Sequence, residues 1–309
     1  MEPPMSLLSS LKRPGPSGFG SGSTAEQVTE GLDLRGRRIL LTGAGSGLGQ
    51  ETLRVLAMRG ATVLAAARDQ AKAEQAATSV SGQIVPVACD LSEPDSVRAC
   101  VADVTARGGR LDAIICNAGI MALPTLQQKY GIELQLLTNH IGHFMLVTGL
   151  MPLLAPKGRV VMLSSAAHKN APSAGVELDN LSGERGYGAW KAYGQSKLCN
   201  LLFARELARR MRGSLQVANA VHPGVIATNL TRHMGGVATA AWSAAGPLFL
   251  KTIPQGAATQ VWAAVHPDMA TISGEYLSDC NVARSSARGM DMQLAGRLWE
   301  ETDRIVAGL

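Results

Sequence analysis

The run Ile39-Leu40-Leu41-Thr42-Gly43-Ala44-Gly45-Ser46-Gly47-Leu48-Gly49 decides the fold. It opens with a short apolar stretch of the kind that forms a strand buried on both faces. Four alternating glycines then permit a tight turn, and a helical stretch continues through Arg59. A strand, a glycine-rich turn and a helix start together make a dinucleotide-binding arrangement. The glycines let the main chain approach a pyrophosphate, and the helix N-terminus offers free N–H groups and a positive dipole end.

Working outward, Ala61 to Ala67 reads as a second strand that ends at Arg68-Asp69. Roughly 20 residues past the glycines, an acidic residue would bond a ribose 2′-hydroxyl and an arginine would accommodate a 2′-phosphate. Arg68 therefore argues for NADP(H). Asp69 reads better as the N-cap of a helix over Gln70 to Val80 than as a ribose ligand. The alternation continues with a strand Ile84 to Cys89 leading to Asp90, and with a helix start at Ser92-Glu93-Pro94-Asp95. A strand Leu111 to Cys116 ends at Asn117-Ala118-Gly119. A long helix is expected from near Gly131 to Leu154 through Asn139, and a fifth strand from Gly158 to Leu163 ends at Ser164-Ser165. Repeated βα units imply a single doubly wound α/β domain of Rossmann type over residues 32–309, with a parallel sheet and helices on both faces.

Ala192-Tyr193-Gly194-Gln195-Ser196-Lys197 runs into an apolar helical stretch, so Tyr193 and Lys197 share one helix face. A neighbouring ammonium favours phenolate and is expected to lower the phenol's pKa from its usual ~10 toward neutrality. Tyr187 and Lys191 have the same spacing, but Gly186 and Gly188 flank that tyrosine and make it a loop residue.

Composition narrows the remaining classes. The 309 residues are 46% hydrophobic and 17% charged, with no apolar run long enough to span a membrane. Five scattered cysteines without a C-x-x-C pair point to free thiols in a cytoplasmic setting. The histidines show no metal-ligand spacing, so no metal is expected. A net charge of +5 is dispersed along the chain, which argues against a nucleic-acid partner. Residues 1–31 are rich in Gly, Ser and Pro and read as a flexible, dispensable tail, neither a signal peptide nor an anchor.

These landmarks, together with His222-Pro223-Gly224 and Thr228, resemble those of the short-chain dehydrogenase/reductases. The details are similar to the retinol dehydrogenase-like branch: Asn139-His140-Ile141-Gly142-His143-Phe144, the Ser196 that precedes Lys197, the long interval from Ser165 to Tyr193, and the late Ser273-Gly274-Glu275-Tyr276-Leu277-Ser278. The resemblance implies that Tyr193 exchanges the proton and that Lys197 tunes it and holds the nicotinamide ribose. It further implies that Ser165 bonds the substrate oxygen and that Asn139 supports a relay water. The cofactor contacts it implies are Gly43, Ser46, Gly47, Leu48 and Gly49, then Arg68, Asp90 and Leu91, then Asn117, Ala118 and Gly119. Tyr193, Lys197, Pro223, Gly224 and Thr228 complete them. Cys116, where many members have Asn, and Leu48, in place of a common Ile, depart from the family pattern without removing a polar catalytic group.

The resemblance also implies that residues 230–254 cover the substrate. Their Met234, Trp242, Leu248 and Phe249 suit a small hydrophobic alcohol or carbonyl. The expected activity is NADP(H)-dependent interconversion of such an alcohol with its aldehyde or ketone. Carbon–carbon double-bond reduction is the alternative, and a non-catalytic NADP-binding scaffold is a more distant one. Both a homodimer and a homotetramer are compatible with the sequence.

Overall fold

Apolar runs become strands here because both faces of the sheet are covered. In the computed structural model, which describes residues 14–226 and 250–309, Leu40 packs with Ile114 and Val160 on one face. Ile39 and Leu41 pack with Leu53, Leu56 and Trp262 on the other. The strands are β1 (Arg38–Thr42), β2 (Thr62–Ala67), β3 (Gln83–Ala88), β4 (Leu111–Cys116), β5 (Gln128–Lys129), β6 (Ile132–Glu133), β7 (Leu154–Leu163), β8 (Val217–His222), β9 (Tyr276–Ser278) and β10 (Asn281–Ala283). Eight of them form one sheet in the order β10-β9-β8-β7-β4-β1-β2-β3. The helices are α1 (Gly47–Met58), α2 (Gln70–Thr78) and α3 (Pro94–Ala106). After them come the composite α4 described below, α5 (Ala189–Arg210), α6 (Ile253–Val265) and α7 (Met292–Gly308). Because β1 is flanked by β2 and β4, the chain reverses its winding there, and a crevice opens beyond the carboxyl ends of β1 and β4.

The doubly wound architecture is as expected, with one difference at its edge: the sheet is not wholly parallel. β10 runs antiparallel to β9 because Asp279 and Cys280 both adopt positive φ, 52° and 56°, and so close a two-residue hairpin.

One further expectation shifts. Residues near Gly131 form the β5–β6 hairpin, whose turn carries Tyr130 and Gly131 at φ 55° and 71°, so the helix begins only after Glu133. The Glu133 carboxylate accepts the Leu136 N–H at 2.8 Å and caps it. The helix α4 is composite: a turn at Leu134–Leu136, a π-helical segment Leu137–Ile141 that contains Asn139, and Gly142–Leu150. The start of α3 falls within the expected Ser92–Asp95, with Glu93 at the N-cap and Asp95 in the first turn. Ser92 bonds Asp90 through its N–H and hydroxyl.

The tail also differs from expectation. Residues 14–31 are packed, with Ala25 and Val28 in the core beside Trp262. Ala25 N–H donates to Pro254 O at 2.9 Å, and Phe19 meets His266 edge-on. Phe19, Ala25 and Val28 are too widely spaced to register as an apolar run, yet each finds a partner near α6. Residues 1–13 and 227–249 lie outside the described residues, so Thr228 and most of the expected 230–254 cover do too. Among the described residues no helix is long and apolar enough to cross a membrane.

On the far side of the sheet, α7 packs along α5. Trp299 stacks on Phe203 at 5.4 Å, meets Phe144 edge-on at 4.9 Å, and lies under the Arg210 guanidinium at 4.2 Å. Thr302 Oγ1 reaches His140 Nε2 at 3.2 Å.

Candidate active site

A cleft of about 670 Å³ occupies the crevice beyond β1 and β4. Its floor is the glycine turn. A Cβ on Gly43 would press on the backbone of Ala118, and one on Gly49 would fall inside the Gly43 carbonyl, so both positions hold α1 tightly against the strand ends. Gly47 faces open space at φ 53°, a conformation that suits glycine. Ser46 sits at the N-cap of α1 without a side-chain bond to the helix, which leaves the first-turn N–H groups directed at the cleft.

Asn117 is fixed from three sides. Its N–H donates to Thr42 Oγ1 at 3.0 Å, its Nδ2 to Thr42 O at 2.9 Å, and its Oδ1 accepts from Gln260 of α6 at 3.1 Å. At the far end, Arg68 lines the cleft together with Lys72. Asp69 accepts the Lys72 N–H at 2.8 Å and pairs with its ammonium at 3.0 Å, so the carboxylate is engaged as the helix cap that the sequence suggested. Lys72 escaped the sequence reading because only the first turn of α2 brings it back beside Arg68. The expected contacts Gly43, Ser46, Gly47, Leu48, Gly49, Arg68, Asp90, Leu91, Asn117, Ala118, Gly119, Tyr193 and Lys197 all line this cleft. Pro223 and Gly224 follow β8 and do not.

Tyr193 and Lys197 lie on one face of α5, with the ammonium 5.7 Å from the phenol ring centre. The Lys197 ammonium donates to Leu163 O at 3.0 Å, and burial lowers its pKa to about 8. Burial raises the Tyr193 pKa to about 12, while the Ser165 side chain pulls in the opposite direction. The depressed phenol pKa expected from the pairing is therefore not found. Desolvation outweighs a lysine whose own charge is weakened by the same burial.

Asn139 is buried behind these residues. Its Nδ2 donates to Ile120 O and Ser196 Oγ, both at 2.9 Å, and its Oδ1 accepts from Ile120 N–H at 2.8 Å. The side chain is thus committed to structure, and its carbonyl takes a bond from His143 Nδ1 at 2.9 Å. Tyr187 lies outside the helix, and its hydroxyl donates to Leu123 O at 2.6 Å.

The chemistry of the cleft suits a dinucleotide: a glycine cradle in which Gly43 and Gly49 leave no room for a Cβ, open helix N–H groups, and Arg68 and Lys72 at one end. The Thr138 hydroxyl, on the π-helical segment at the other end, is buried without a protein partner among the described residues.

A sequence profile described as short chain dehydrogenase matches residues 37–236. The chain belongs to that family, and the activity that goes with it is NAD(P)-dependent oxidoreduction. It is 40% identical over 309 aligned residues to "Short-chain dehydrogenase TIC 32 B, chloroplastic" of Brassica napus, covering 96% of each chain. It is 38% identical over 278 residues to "Retinol dehydrogenase 12" of Mus musculus, covering 88% of this chain and 86% of that one. Among solved structures, an uncharacterized protein from Mycobacterium paratuberculosis is similar with a TM-score of 0.74 at 33% identity, covering 91% of this chain and 97% of that one.

Proposed function

We propose that the protein is an NADP(H)-dependent oxidoreductase that interconverts a hydrophobic alcohol with its aldehyde or ketone. The observation that carries this reading is the pairing of Tyr193 with Lys197 in the wall of a cleft that also presents Arg68 and Lys72, with the Ser165 side chain beside the Tyr193 phenol. With Asp69 engaged by Lys72, no carboxylate competes at the second strand's end for a 2′-hydroxyl, which favours a 2′-phosphate and so NADP(H). Similarity to retinol dehydrogenases supports an apolar alcohol or carbonyl, as do Ile120, Met121 and Leu123 in the cleft wall. The five free, buried cysteines suit a reducing compartment such as the cytoplasm.

In this reading the chain's residues bind, orient and move a proton. The glycine turn and the α1 N-terminus would hold the pyrophosphate, and Asn117, Ala118 and Gly119 would line the cleft beside the dinucleotide. Hydride transfer is the chemistry that a bound nicotinamide supplies. Ser165 Oγ and Tyr193 Oη position the carbonyl oxygen, and the phenol, held protonated near neutral pH by burial, gives its proton there. Lys197, set by Leu163 O beneath the tyrosine, offsets the negative charge left on the phenolate.

The test is NADPH oxidation against hydrophobic aldehydes, ketones and enones, run beside Tyr193→Phe. Aldehyde or ketone turnover that falls by about 10²-fold or more in the variant, with NADPH binding retained, is the expected result. Turnover of enones alone would replace the reading with double-bond reduction, and no turnover of any of them would favour a scaffold.

A further inference from the structure

Resting on that reading, we propose that Tyr187 is a positioning residue that fixes the substrate wall of the cleft at its distance from Tyr193. The wall is the segment after Gly119, where Met121 and Leu123 line the cleft. Ala122 between them sits at φ 50°, a left-handed conformation that a non-glycine residue holds only when its surroundings impose it.

Two bonds impose it. The Tyr187 hydroxyl donates to Leu123 O at 2.6 Å, and the fully buried Gln135 accepts the Ala122 N–H at 2.6 Å through Oε1. Gln135 Nε2 donates to the Tyr187 hydroxyl oxygen at 3.1 Å, so the two anchors are one unit. The same amide also donates to the buried Glu133 carboxylate at 3.1 Å.

The long interval between Ser165 and Tyr193 explains why the anchor sits there. Its loop is tied to the helix of Tyr193, where Glu177 N–H donates to Gln195 Oε1 at 2.9 Å and the Glu177 carboxylate pairs with Lys191 at 2.8 Å. It is tied to the start of α4 where Leu181 O accepts from Glu133 N–H at 2.9 Å. The loop thus bridges the tyrosine that gives the proton and the wall that an apolar substrate touches, with Tyr187 as its contact to the wall. The second Tyr-x-x-x-Lys of the sequence has its hydroxyl committed to a carbonyl, so it is a brace and not a second acid.

Tyr187→Phe removes only that hydroxyl. The measurements are NADPH-dependent reduction of hexanal and decanal, NADPH affinity, and amide hydrogen exchange in residues 120–126. The expected result is a KM for decanal raised about fivefold or more with kcat within about twofold, unchanged NADPH affinity, and faster exchange at Ala122 by about tenfold or more. Gln135→Met should produce the same pattern, and combining the two should add little, because the residues act as one unit. Unchanged exchange at Ala122 in both variants would overturn the proposal. So would a loss of kcat with KM unchanged, since that assigns Tyr187 to the chemistry. If the starting protein reduces neither aldehyde nor any other carbonyl of the panel above, the functional reading fails, while exchange at Ala122 still decides whether the brace exists.

Discussion

His143→Phe tests the polar spine beneath the cleft. The ring is fully buried, with Nδ1 2.9 Å from Asn139 O and Nε2 2.9 Å from Thr42 Oγ1. A carbonyl can only accept, so Nδ1 carries the proton. Burial lowers the pKa to about 4, which leaves Nε2 bare at neutral pH to accept from the Thr42 hydroxyl. Thr42 Oγ1 in turn accepts the N–H groups of Asn117 and Ala118, each at 3.0 Å. Phenylalanine fills the ring volume but leaves the Thr42 hydroxyl and the Asn139 carbonyl without these partners, at about 1–3 kcal/mol each. Ile115 O, 3.5 Å from the hydroxyl, offers a poor substitute. Unfolding in urea at neutral pH should therefore show a loss of about 2–6 kcal/mol with an unchanged m-value. The pH dependence gives a second readout. The folded pKa lies below the unfolded 6.5, so the unfolded chain binds more protons between pH 6.5 and about 4, and stability falls as the pH drops through that window. His143 contributes at most about 1.4 kcal/mol per pH unit to that slope, and the phenylalanine variant should lack it. His140 and His222, lowered to about 3 and about 4, act in the same direction in both proteins and cancel in the comparison. A variant within about 0.5 kcal/mol of the parent, with the same acid slope, would refute the argument.

Arg68→Ala should weaken NADPH binding by about tenfold or more and NADH binding by less than about twofold, as read by cofactor titration. Equal losses for both cofactors would remove Arg68 from the specificity argument. A chain that starts at residue 32 should melt at a lower temperature than one that starts at residue 14. The later start uncovers the α6 face packed by Ala25 and Val28, and full burial of a valine alone is worth about 2 kcal/mol. Equal melting temperatures for the two truncations would show that residues 14–31 are dispensable after all.

Much of the architecture was legible because doubly buried strands read as short apolar runs and glycines mark the close approach of β1, α1 and Asn117. The pairing of Tyr193 with Lys197 was legible from helix periodicity, and so was the Asp69 cap. What was not legible depends on tertiary context. The phenol's raised pKa follows from desolvation, which residue spacing does not report. Lys72 joins the cleft only through the geometry of α2. The packed segment 14–31 contributes isolated apolar residues whose partners lie more than two hundred positions away, as with Ala25 N–H on Pro254 O. The π-helical segment at Asn139 has the composition of an ordinary α-helix.

The aromatic contact between α7 and α5 bears on how the chain is made. Residues 292–308 are translated after every residue they pack against, so Phe144 and Phe203 stay uncovered on the nascent chain while the cleft residues are already synthesised. Until Trp299 arrives, that apolar face is open to other nascent chains. A premature stop codon just before Met292 would spare every candidate catalytic residue and still be expected to give an aggregating product.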